Sequence, residues 1–263
     1  MKYKLLATDL DGTLLNDNKQ ISGENLKAIH YAVKKGIIVV PCTGRAIQGV
    51  TKFNELLNLK IPAIAYNGGM IVDLSNNETL YHCPLLNKDA EFIIEEGIKL
   101  DTNICVWIEN KLYCNKINKY TLEYSEISSV IPVKFSSFKE IAGKTITKVL
   151  WHDESNKIQS YLSSMSQIVS DDVTCCTSKP WFLEFFNSKT SKALALNKLC
   201  EIYKIEQGEI IAVGDELNDI SMIEFAGLGV AMENARVEVK EKADYITLSN
   251  SENGFADMVY RFI

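Results

Sequence analysis

The feature that most constrains this chain is a repeated pattern in which a short apolar run breaks into acids, hydroxyls and glycine before an amphipathic segment follows. Residues 3–8 lead into Asp9-Leu10-Asp11-Gly12-Thr13, and residues 37–42 lead into Thr43-Gly44-Arg45. Residues 209–213 lead into Gly214-Asp215-Glu216, with Asn218-Asp219 close behind. Continuous apolar runs of this length suit strands covered on both faces, and strands alternating with helices predict a parallel, doubly wound α/β sheet. Ligands of such sheets sit beyond the carboxyl ends of the strands. Asp9, Asp11, Thr43 and Asp215 all fall there.

Between these runs the chain punctuates itself clearly. Ser22 is placed to cap a helix whose apolar positions include Leu26, Ile29 and Val33, with His30 expected to pack beside them and Gly36 closing the segment. A helix over about 47–57 would aim its N-terminal dipole at whatever Thr43 touches, although Thr43 taken alone reads more readily as that helix's cap. Residues 62–66 form another strand, and Asn67-Gly68 is a hairpin signal; Asn67 faces the site if its strand lies beside the first.

From about 84 to 181 the texture changes. Helical stretches near 88–99, 118–126 and 155–165 alternate with strands at 104–109, 111–115 and 145–152, the first two forming a hairpin around Asn110. This predicts an inserted α+β domain with antiparallel pairing, in which Trp107, Trp151 and Trp181 are core residues or pocket walls. Beyond it come a strand at 181–186 and a helix at 191–203. Lys192 stands in the first turn of that helix, where a cation opposes the dipole unless an anion or carboxylate cluster compensates it. Strands at 228–232 and 244–248 and a final helix complete the pattern. The expected division is a Rossmann-like core of residues 1–83 and 184–263 around an inserted domain of 84–183.

Composition narrows the function classes. The net charge of −6 over 263 residues, with Lys and Glu intermixed, argues against nucleic-acid binding. No apolar run approaches the ~20 residues of a membrane span, and no signal-peptide h-region follows the start. Seven cysteines without CxxC spacing read as thiols in a reducing cytoplasm, and three dispersed histidines give little support to a local zinc site or a histidine triad. Oligomeric state is not written in the sequence.

By itself Asp-x-Asp-Gly reads equally as a solvated turn and as a cation site. Acids, a hydroxyl and a lysine-headed helix gathered at separate strand ends favour a site. Carboxylate oxygens without His or Cys select Mg²⁺, which typically binds through one or two carboxylates together with substrate oxygens. That donor set suits a phosphorylated substrate.

In these residues the chain resembles the haloacid dehalogenase superfamily, specifically its Cof-type phosphatases with a type IIB cap. The matching motifs are Asp9-Leu10-Asp11-Gly12-Thr13-Leu14, Thr43-Gly44-Arg45, Lys192, and Gly214-Asp215 with Asn218-Asp219; Asn67-Gly68-Gly69 and 229–232 with Asn234-Ala235 also match. The loop 187–191, Ala193 and Glu216 depart from the family pattern. The resemblance implies that Asp9 attacks phosphorus to form an aspartyl-phosphate and that Asp11 protonates the leaving alcohol and later deprotonates water. It implies Mg²⁺ on the Asp9 side chain, the Asp11 carbonyl and Asp215, and phosphoryl oxygens held by Thr43, Gly44, Lys192 and Asn218. Asp219 would support Lys192 or the metal shell, while Arg45, Asn67 and Glu184 would border a pocket closed by the cap. Such hydrolysis demands acceleration approaching ~10²¹-fold, and general acid catalysis supplies only ~10²- to 10⁴-fold, so nucleophile, metal and fixed cations must share the rest.

The expected activity is therefore Mg²⁺-dependent hydrolysis of small phosphorylated metabolites. A phosphomutase of the same superfamily and a non-catalytic phosphometabolite sensor are the alternatives. A dinucleotide-binding fold is disfavoured because no G-x-G-x-x-G follows the first strand.

Overall fold

A computed structural model describes residues 2–51 and 61–263. The chain divides into two compact units, one of Met1–Gly44, Val50–Tyr81 and Ser191–Ile263, the other of Arg45–Gly49 and His82–Thr190. Among the described residues no helix is long and apolar enough to cross a membrane. A helix opens at residue 47, and most of the 47–57 stretch lies outside the described residues.

The first unit is built on a five-stranded sheet of β1 (Leu5–Thr8), β2 (Ile38–Pro41), β3 (Ile210–Gly214), β4 (Leu228–Ala231) and β5 (Tyr245–Ile246), in the order β5-β4-β3-β1-β2. Every pairing in it is parallel. Each residue of β1 and of β3 is buried, which explains their unbroken apolar sequence. Thr8 pairs with both Val213 and Pro41, so the first, second and third strand ends lie level with one another. The backbone N–H of Asp9 still donates to the Val213 carbonyl at 3.0 Å. Asp9 thus leaves the sheet at its carboxyl edge with its backbone anchored.

Helix α1 (Gly23–Lys34) begins where Ser22 accepts a hydrogen bond from the Asn25 N–H, and Gly36, at φ +83°, turns the chain out of it. Ala28, Ile29 and Ala32 are its buried apolar face, whereas His30 is exposed. Leu26 and Val33 pack beside them as expected, and only His30 falls outside the stripe.

Strand Pro62–Ala65 joins β2 through a parallel bridge between Cys42 and Ile64 and pairs antiparallel with Met70–Asp73. The hairpin between them turns through Tyr66, Asn67 and Gly68, all with positive φ. A side chain on Gly68 would come within 2.1 Å of the Ser191 carbonyl, so glycine is required there both for conformation and for space.

The second unit carries a six-stranded sheet in the order 173–179, 182–187, 146–152, 103–108, 111–114, 133–134, antiparallel except for its last pair. Its hairpin at Glu109 and Asn110 has positive φ at both residues, the geometry the Asn110 turn predicts. One face packs Ile104, Val106, Val149, Trp151, Leu183 and Phe185 with the apolar sides of helices Asn87–Lys99 and Ser155–Ile168. Strand Phe182–Asn187 pairs on both sides within this sheet, which corrects the placement of 184–187 in the core. Its aromatic and aliphatic residues would suit either sheet, and only its partners decide between them.

The opposite face of this sheet holds an enclosed polar group. Lys148 Nζ lies 3.1 Å from Glu184 Oε2, and the Ser178 hydroxyl donates to Glu184 Oε1 at 2.7 Å. Both members of the pair are buried. Nearby, Trp107 Nε1 donates to the Tyr124 hydroxyl at 2.9 Å. Removing one member of a buried pair strands its partner, whereas replacing both with apolar groups removes the desolvation cost of each. Lys148→Met should accordingly destabilise this unit by about 3–5 kcal/mol, and Lys148→Met/Glu184→Leu far less. Urea unfolding followed by tryptophan fluorescence checks this, since all 3 tryptophans lie in this unit; equal losses in both variants would contradict it.

Candidate functional site

Asp9, Lys192, Asp215 and Asp219 meet at the carboxyl ends of β1 and β3. Helix α2 (Lys192–Tyr203) starts with Lys192, and Ser191 caps it by accepting the Leu194 N–H at 3.0 Å. The Lys192 side chain is wholly buried, its Nζ 2.6 Å from Asp9 Oδ1 and 2.5 Å from Asp219 Oδ1. The unfavourable position of a lysine at a helix N-terminus is offset by these two carboxylates.

Asp219 is fully engaged. Its Oδ2 accepts the N–H groups of Asp215 and Glu216 at 2.9 and 3.0 Å, while Oδ1 faces Lys192. It therefore ties the loop after β3 to the lysine. Asp215 is bound differently: its Oδ1 accepts the Thr13 hydroxyl at 2.7 Å. Gly12, at φ +82°, passes so close that an added Cβ would lie 2.2 Å from Asp215 Oδ2. Carboxylate oxygens of Asp9, Asp215 and Asp219 all lie within 4.8 Å of one another.

The electrostatics follow from this crowding. Burial raises the Asp9 carboxyl to about 8, opposed by Lys192 and reinforced by Asp219 and Asp215. Burial likewise raises Asp215 to about 6, against the hydrogen bond from Thr13. Burial draws Lys192 downward, but Asp219 and Asp9 carry it above its ordinary value. Three buried carboxylates facing one ammonium leave negative charge uncompensated. Hard oxygen donors in that state fit a small divalent cation such as Mg²⁺; Asp9 and Asp215 are each hydrogen-bonded through Oδ1, leaving Oδ2 as the oxygen to offer it.

Other expected site residues gather around this cluster. Thr43 is buried, with its N–H on the Ile64 carbonyl and its carbonyl accepting the Asn67 N–H. Gly44 faces Asn67, whose Oδ1 would lie 2.8 Å from a Cβ at that position. Asn67 Oδ1 also accepts from Asn218 Nδ2 at 2.9 Å. Asn67 thus links the loops after β2 and β3, although its strand lies beside β2 and not beside β1.

The Asp11 carboxylate is half-exposed and pairs with Lys19 at 3.1 Å. Arg45 falls in the second unit. Glu184, expected at a pocket border, is enclosed with Lys148 instead. Of the departures from the family pattern, Glu216 points outward to Arg236 Nε at 2.7 Å. The loop 187–191 closes without glycine because Asn187 Oδ1 accepts the Lys189 N–H and its carbonyl accepts the Thr190 N–H.

Three contributors had no assigned role in the sequence: Thr13, Lys19, and Asn234, whose Nδ2 donates to the Gly12 carbonyl at 2.8 Å. Thr13 stands inside the first motif, so its position was visible and only its partner was hidden. Asn234 stands in the Asn234-Ala235 pair that matches the family, although no role was attached to it, and nothing local marks Lys19.

Known proteins share this organisation. The family model of haloacid dehalogenase-like hydrolases matches residues 6–259. YxeH of Bacillus subtilis, which bears a phosphatase name, is 35% identical over 99% of this chain and 98% of its own. The 5-amino-6-(5-phospho-D-ribitylamino)uracil phosphatase YcsE of Bacillus subtilis is 33% identical over 99% of this chain and 96% of its own. The crystal structure of a haloacid dehalogenase-like hydrolase from Bacteroides thetaiotaomicron superposes with a TM-score of 0.92 at 31% identity, covering 100% of both chains. Matched by the family model over nearly all its length and by relatives over nearly all of theirs, the chain belongs to the haloacid dehalogenase-like hydrolases and is an enzyme of the phosphatase kind.

Proposed function

We propose that this enzyme is a Mg²⁺-dependent phosphatase of small phosphorylated metabolites that works through an aspartyl-phosphate. The observation that carries the reading is the buried Asp9 carboxylate, held by Lys192 beside Asp215 at the end of the central strand. Asp9 and Asp215 would hold the ion with the Asp11 carbonyl, and the ion would neutralise charge so that a phosphate dianion can approach a carboxylate.

The chain's own groups supply the remaining work. Lys192 fixes one oxygen of Asp9, and the other oxygen attacks phosphorus. The Asp9 O–P bond forms as the P–O bond to the alcohol breaks, and Asp11 gives its proton to the departing oxygen. Water then attacks phosphorus, the Asp9 O–P bond breaks, and Asp11 takes the water's proton. Thr43, the Gly44 N–H, Lys192 and Asn218 hold the phosphoryl oxygens, with Asn218 steadied by Asn67. Asp219 supports Lys192.

The name of YcsE, a phosphatase of a phosphoribityl compound, supports a small phosphorylated metabolite as substrate. Seven unpaired thiols suit a reducing cytoplasm.

Incubation with a panel of phosphorylated metabolites should release inorganic phosphate with Mg²⁺ and none with EDTA. Asp9→Asn should lower the rate by on the order of 10³-fold or more. Release that is indifferent to EDTA, or undiminished in Asp9→Asn, would sink the mechanism, and an isomerised product without free phosphate would identify a mutase.

Charge makes a separate prediction about stability. Asp9→Asn removes one of three clustered carboxylates yet leaves Lys192 its ion pair with Asp219, so the metal-free variant should melt higher by ~2–4 °C, about 1 kcal/mol. Calorimetry in EDTA reads this directly. A lower Tm would mean that the Lys192–Asp9 attraction outweighs the repulsion among the acids.

A further inference from the structure

The Thr13 hydroxyl donates to Asp215, one of the three clustered carboxylates. We propose that Thr13 is a positioning residue of the cation site, its hydroxyl holding Asp215 so that Oδ2 alone is offered to a divalent ion; this rests on the Mg²⁺ reading above.

Thr13 is completely buried and donates to Asp215 Oδ1 at 2.7 Å across 202 residues of sequence. A buried hydroxyl must spend its proton on an acceptor, and this one spends it on a carboxylate at the cluster. The neighbouring residue restrains the other oxygen. Gly12 brings its backbone against Asp215 Oδ2, close enough that no side chain fits between them. Residues 12 and 13 therefore bracket the carboxylate, one by contact and one by hydrogen bond. Asn234 Nδ2, on the Gly12 carbonyl at 2.8 Å, and the Asn250 N–H, on Asn234 Oδ1 at 2.9 Å, brace the bracket from the segments that follow β4 and β5.

The need for such a bracket follows from the neighbours of Asp215. A carboxylate free to rotate could offer either oxygen or both, and Mg²⁺ demands near-ideal octahedral geometry. Asp219 cannot substitute, because its two oxygens are committed to Lys192 and to two backbone N–H groups. Partners that orient a metal-binding carboxylate commonly contribute 10- to 100-fold to affinity.

The test measures Mg²⁺ binding to the full-length protein by isothermal titration calorimetry without substrate. Thr13→Val keeps the shape and removes the donor, and it should weaken Mg²⁺ binding ~10- to 100-fold. Thr13→Ser keeps the donor and should remain within about threefold of wild type. Turnover of Thr13→Val should recover as Mg²⁺ is raised to saturation, a rescue that a merely structural defect would not show. Wild-type affinity in Thr13→Val overturns the proposal. So does a folded Thr13→Ser with Mg²⁺ binding weakened tenfold, which keeps the question decidable if Thr13→Val fails to fold. Wild-type protein that binds no Mg²⁺ removes the metal reading together with this one, whereas Mg²⁺ binding without phosphate release removes only the phosphatase reading.

Discussion

The interaction on which the first unit's site depends is the buried ammonium of Lys192 between Asp9 and Asp219. An ammonium cannot enter a dry interior alone, and two carboxylates cannot lie this close without a cation between them. Each makes the other tolerable. The consequence is topological: the end of the first strand, the head of a helix and the loop after β3 must arrive together, because any one arriving alone would bury an unpaired charge. A site assembled in this way specifies the fold while remaining electrostatically incomplete, since its acids outnumber its cation.

The parallel register explains why the assembly is possible. Strand ends that lie level place the loops after β1, β2 and β3 side by side, Gly12 lets the first and third touch, and Gly68 lets the hairpin after 62–65 touch the head of helix α2. A Cβ on Gly12 would collide with Asp215, and one on Gly68 with the carbonyl just before Lys192. The loops are thus packed at backbone distance, and the functional side chains occupy the small volume left over. Sequence neighbours also meet different surroundings, in keeping with the roles proposed for them: Asp9 is enclosed with Lys192, whereas the Asp11 carboxylate two residues later turns toward solvent and Lys19. A group that moves protons to and from solvent benefits from that exposure, and a nucleophile in a dry site does not.

Much of this was legible in the sequence, and the parts that were not have a common physical cause. Strands fully buried in a parallel sheet write themselves as unbroken apolar runs, and Ser22, Gly36 and Asn110 mark turns and caps by local chemistry. Local chemistry says nothing about which strands pair. Residues 184–187 thus read as core although they pair inside the second unit, and Asn67 reaches the Gly44 and Asn218 loops from a strand beside β2. Glu184 looked like an acid near a pocket because its partner Lys148 lies 36 residues away on another strand. His30 illustrates a smaller failure, since periodicity fixes the centre of a helix's apolar stripe better than its edge.

Asp215 and Asp219 show most sharply how environment assigns chemistry. They are the same residue type, four positions apart and both buried, and residue type and spacing alone do not separate them; only the family resemblance gives them different roles. Three donors saturate Asp219: two backbone N–H groups organise its own loop, and the lysine draws its remaining oxygen inward. Asp215 receives one side-chain donor, on one oxygen. A carboxylate already saturated by donors gains little from a cation, while one held on a single side keeps a lone pair and its charge available. Under the proposed Mg²⁺ reading, the choice of Asp215 over Asp219 as cation ligand is therefore made by hydrogen bonds that do not reach the cation, which is why the hydroxyl of Thr13 carries information that the spacing of the acids alone does not.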